Sequence, residues 1–101
     1  DIVKLIVEMI DDEVEGAENY ARQAVAQKDE NPSLAKVFFD LSVTELQHID
    51  LLHSEVVSLI KRLKDKGTVI PDPMLAVYNF LHEKTVNEVV AIKGIQSIYR
   101  G

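Results

Sequence analysis

Glu45 and His48 stand three residues apart in TELQHIDLLH (44–53), a stretch where leucine and isoleucine recur at helical spacing. Residues three apart on a helix share a face, so this carboxylate and imidazole can reach one point. At about 100° per residue, Phe38, Leu41, Ile49, Leu52, Val56, Leu59 and Leu63 fall within roughly 40° of Glu45. The acid is thus expected at the centre of an apolar stripe. Glu13 repeats the anomaly, with Ile2, Ile6, Met9, Ala17, Tyr20 and Ala24 around it, whereas Asp11, Glu15 and Glu18 turn away. Glu88 does so again among Met74, Val77, Leu81, Ile92, Ile95 and Tyr99, while Glu83 turns outward.

An unpaired carboxylate in an apolar seam costs several kcal/mol in effective terms and would protonate or find a cation. Three such acids and an imidazole converging in one layer would be compensated together by a divalent metal ion. Oxygen-rich ligation with a single imidazole suits iron or manganese better than a closed structural zinc site.

The elements that must position these groups are legible from the punctuation. Asn31-Pro32 supplies a helix cap and a proline at the first helical position; Gly67 supplies a stop, and Asp72-Pro73 repeats the start. Between them run three segments, about 1–29, 32–66 and 73–100, without interior proline. Three long helices joined by short turns predict an all-α bundle of antiparallel neighbours. The 101 residues, 47% of them apolar, suffice for one domain over 1–101.

Composition narrows the chemistry further. The net charge of −6 is spread along the chain with no basic stripe, which argues against a nucleic-acid partner. The absence of cysteine removes disulfides and thiolate metal sites and permits a reducing cytoplasm. No apolar run approaches the ~20 residues of a membrane span, so neither a membrane partner nor a membrane location is expected. The sequence opens without Met, which leaves room for terminal tails or a targeting segment.

An inward Glu followed by Tyr seven residues on (Glu13 and Tyr20 in EVEGAENY), then ExxH in the next helix (ELQH, Glu45 and His48), resembles the ferritin-like family, including rubrerythrins and the short encapsulated ferritins. The similarity covers about residues 6–60 and extends more loosely over the third helix. It implies a di-iron carboxylate centre, with Glu13 as first-helix ligand, Glu45 as the bridging and catalytic carboxylate, His48 as nitrogen ligand and Tyr20 as a hydrogen-bond partner of the ligands. Glu88 falls where a third-helix ligand is expected, though no Tyr follows it seven residues on. The fourth helix and second ExxH of the family are missing. A two-fold homodimer, or a higher homo-oligomer, would supply two copies each of Glu13, Glu45 and His48 and thereby complete a four-helix arrangement. About one iron per chain follows. Iron(II) oxidation by dioxygen or peroxide is the implied activity, and a protein compartment or shell partner the implied setting for storage. A metal-free helical module that dimerises or binds a partner, and a metal sensor or buffer without turnover, are the alternatives. His53 and His82 lie off the stripe centres and read as partly exposed side chains. Tyr78 and Tyr99 read as core-edge aromatics, and Gly16 as a residue that lets helices approach closely.

Overall fold

The computed structural model describes residues 2–101, which form three helices: α1 (Ile2–Gln27), α2 (Pro32–Asp65) and α3 (Asp72–Arg100). Pro32 sits where its missing N–H costs nothing, and Asn31 precedes it. Asn31 closes the turn differently from a side-chain cap: its Nδ2 donates to Gln27 Oε1 at 2.7 Å, and its backbone N–H donates to the Gln27 carbonyl at 2.8 Å. α2 ends in a Schellman motif. Gly67 takes φ +71°, the Gly67 N–H donates to the Lys64 carbonyl and the Thr68 N–H to that of Leu63. The cap of α3 is Pro71, one residue before the expected Asp72; Asp72 lies inside the first turn, where its charge complements the helix dipole.

Cross-helix contacts fix the directions. Moving along α1 from Ala17 to Glu13, partners on α2 advance from Ser42 to His48, so the two helices are antiparallel. α2 and α3 are antiparallel too: Ser42 meets Gln96, and His53 meets His82. α1 and α3 consequently run parallel, with Asp11 against Lys84 and Lys28 over the Tyr99 ring. The bundle measures 57 × 18 × 17 Å, close to the length of α2 alone.

The core runs along this length in two clusters. One gathers Ile10, Val14, Ala17, Ala21, Leu46, Ile49, Leu81 and Ile92; the other gathers Val3, Val56, Ile60 and Ile70. Each fully buried isoleucine or leucine contributes about 1.5–3 kcal/mol. The buried α1 alanines at 17, 21 and 24 keep that helix slim against its neighbours. A buried polar chain ties all three helices together: Gln96 Nε2 donates to Ser42 Oγ at 2.9 Å, and Ser42 Oγ donates to the Ala17 carbonyl at 2.7 Å.

The buried arcs are not centred on the acids. In α2 they comprise Ala35, Ser42, Leu46, Ile49, Val56 and Ile60, whose mean direction is roughly 60° from Glu45 at 100° per residue. The buried set of α1 is rotated from Glu13 by a similar angle. Each apolar arc is wider than the core requires, so one edge of it is left outside. Ile2, Leu5 and Met9 of α1 and Leu34, Val37 and Leu41 of α2 are among the exposed large apolar residues. By helical phase they lie on the side of the α1–α2 hairpin away from α3.

Candidate functional site

Glu13, Glu45 and His48 meet on that open side of the α1–α2 seam. Antiparallel pairing brings the first inward acid of α1 level with the ExxH turn of α2, and one ligand atom from each lies within 4.8 Å of the others. His48 Nδ1 is 3.2 Å from Glu13 Oε2 and 3.7 Å from Glu45 Oε1. In the N–H tautomer it donates to Glu13. These side chains are partly exposed, at 28% for Glu13, 22% for Glu45 and 45% for His48, so solvent ions reach them directly. They stand at the edge of the core, where the stripe reading expected its centre, because tertiary packing turned each helix away from its acid.

Edge placement lowers the desolvation cost yet leaves two carboxylates in contact. The Glu45 carboxyl is raised accordingly: its hydrogen bond to Glu13, followed by partial burial and the Glu13 charge, pushes its pKa up to about 7, while His48 opposes the shift. A group poised near neutrality exchanges its proton readily for a cation.

Gly16 builds the other wall. A Cβ there would stand 3.1 Å from Glu45 Oε2 and 3.7 Å from Glu45 Cδ. The close approach expected of this glycine is therefore that of the carboxyl group itself, across the helix seam. This role had only a weak sequence signal, a glycine one turn after Glu13.

The remaining expected residues separate from the trio. Glu88 pairs with Lys84 at 3.4 Å, and Lys84 reaches Asp11 at 3.0 Å. Glu88 also lines a surface groove with Glu18 and Arg22. Asp11, Glu18 and Arg22 lie roughly 140–180° around α1 from Glu13, so Glu88 meets the opposite flank of that helix. Tyr20 packs ring to ring with Phe38, centroids 6.1 Å apart, and among the described residues its hydroxyl does not hydrogen-bond the carboxylates. Tyr99 stacks on Phe39 at 4.8 Å.

A feature missed in the sequence lies between α2 and α3. His53 Nε2 and His82 Nδ1 are 3.1 Å apart, although the two residues read as unrelated off-stripe histidines. Burial, then the neighbouring His82, lowers the pKa of His53 below the ordinary imidazole value. Their sequence separation carries no local periodicity that could have paired them.

Among the described residues, Glu13, Glu45 and His48 form the one group of three or more such donors close enough to hold an ion. No helix among them is long and apolar enough to cross a membrane. No family model, curated protein or solved structure matches this chain.

Proposed function

We propose that this protein is a ferritin-like iron-handling protein that binds iron(II) through Glu13, Glu45 and His48 and oxidises it with dioxygen or peroxide. The observation that carries the reading is the convergence of two carboxylates and one imidazole from two helices within 4.8 Å. The donor set fits the ion: carboxylate oxygens with one imidazole suit iron(II) or manganese(II). Bound iron supplies the electrons, passing to iron(III) as the oxidant is reduced. Glu45 would hold the cation together with Glu13 and His48, giving up the proton it shares with Glu13. His48 offers Nδ1, the ring atom that already faces both carboxylates.

Three protein donors leave an ion of this class under-ligated. The proposal is completed by a second copy of the chain. Its hairpin would pair with the exposed apolar side chains flanking the acids, including Met9 and Leu41, and bring a second Glu13, Glu45 and His48 to the same centre. The four-helix arrangement, and about one iron per chain, follow from that pairing. Glu88 and Tyr20 have no part in it. Storage of oxidised iron would require a larger assembly or an enclosing shell partner.

The exposed apolar side chains also favour a second reading, a metal-free module that dimerises or docks a partner. Anaerobic iron(II) addition followed by air separates the two. Near-ultraviolet ferric absorbance in the intact protein, absent from a Glu45→Ala, His48→Ala variant and accompanied by dimer mass, supports iron handling. A dimer that takes up no iron leaves only the second reading.

A further inference from the structure

His53 and His82 present a different donor set from the acidic trio, on a different seam. Their facing nitrogens are 3.1 Å apart, their ring centroids are 5.2 Å apart, and Tyr78 packs against both rings at 6.3 and 6.1 Å. They border a pocket of about 190 Å³ between α2 and α3, whose wall also carries Asp50 and Thr85 above the apolar Ile49 and Val89. His82 is exposed and His53 half-buried, so an ion can arrive from solvent.

The separation of the two nitrogens is informative. Metal–imidazole bonds of about 2.0–2.1 Å, at ligand angles from square to tetrahedral, put two coordinating nitrogens roughly 2.9–3.4 Å apart. The observed distance already lies within that bite. A cation replacing the bridging proton would sit off the line between the two nitrogens, so each ring would have to turn its lone pair toward it. We propose that His53 and His82 form a second, inter-helical site for a borderline divalent transition-metal ion of the zinc(II) or copper(II) class. Asp50 supplies negative charge on the pocket wall, and water occupies the remaining positions. Two imidazoles favour these ions over the harder iron(II) and manganese(II). Occupancy would clamp α3 to α2 near the middle of the bundle and would not require the acidic trio.

Copper(II) is the probe, because its electron paramagnetic resonance counts coordinated nitrogens. The full chain, free of any histidine tag and carrying Glu45→Gln and His48→Ala to silence the acidic trio, is expected to bind one copper(II) with coupling to two nitrogens. His53→Gln or His82→Gln should reduce that coupling to one nitrogen and weaken binding. Zinc(II) should raise the unfolding temperature of the first protein and leave that of either His→Gln variant unchanged. In the wild-type chain, the same two-nitrogen signal should appear beside any single-nitrogen signal from His48, which keeps the test decisive if the silenced variant folds poorly. Absence of the two-nitrogen signal from the wild-type chain, or its persistence after His53→Gln and His82→Gln, would overturn the proposal and leave the pair as a hydrogen bond only.

Discussion

Replacing Glu45 with Gln should stabilise the metal-free protein at pH 8 while abolishing iron uptake. The folded-state pKa of Glu45 is raised from 4.5 to about 7. At about 1.36 kcal/mol per pKa unit, this caps the effect at about 3.4 kcal/mol. The carboxyl group keeps 22% exposure, and water screening brings the expectation down to roughly 1–2 kcal/mol. The sign follows from linkage. A carboxyl whose pKa rises on folding favours the folded state while protonated, and that contribution is lost as pH climbs from about 4.5 through about 7. Gln cannot ionise, yet its amide N–H can still donate to Glu13 in place of the acid proton. Urea denaturation in chelator at pH 5 and pH 8 should therefore show the variant gaining on wild type by roughly 1–2 kcal/mol across that interval. The falling His53 pKa acts in the opposite direction, but equally in both proteins, and cancels in the difference. Iron(II) should reverse the ranking: at a hundredfold excess over Kd it adds about 2.7 kcal/mol to wild type and nothing to the variant. Equal pH slopes for the two metal-free proteins, or a less stable variant at pH 8, would refute the idea that the folded protein favours a proton shared between Glu45 and Glu13.

Gly16→Ala should separate folding from binding: loss of glycine stabilises the helix by roughly 0.5–1 kcal/mol, while the new methyl displaces the Glu45 carboxyl and lowers iron affinity, read by paired denaturation and iron titration. Glu88→Gln should leave iron stoichiometry unchanged and cost under about 1 kcal/mol, because its partner Lys84 is a partly exposed ammonium that retains Asp11; a drop in bound iron would return Glu88 to the site. Ser42→Ala strands the buried Gln96 amide and removes the donor to the Ala17 carbonyl, for a loss of about 1–3 kcal/mol in denaturant unfolding. Much of that loss should disappear in a Ser42→Ala, Gln96→Leu pair, since no unsatisfied side chain then remains.

Local chemistry, written into short stretches of chain, was enough to specify the helices and two of the three residues of the candidate site. Pro32, Gly67 and Pro73 act through their own backbone preferences, so the breaks between helices needed no knowledge of neighbours, although the α3 cap fell one residue early, on Pro71. The pairing of Glu45 with His48 is likewise a property of a single helical turn. Glu13 was legible as an inward-leaning acid, and antiparallel packing of adjacent helices sufficed to bring it opposite them. The rotation of each helix about its own axis was not legible. Apolar arcs broader than the core leave several rotations nearly equivalent in one sequence, and mutual packing of Ile10, Ile49, Leu81 and Ile92 selects one of them. That selection put the acids at the edge of the core, exposed Met9 and Leu41, and turned Glu88, with its own-helix partner Lys84, toward the far flank of α1. It also set Gly16 against the Glu45 carboxyl and His53 against His82, contacts between helices whose register and phase no local pattern encodes.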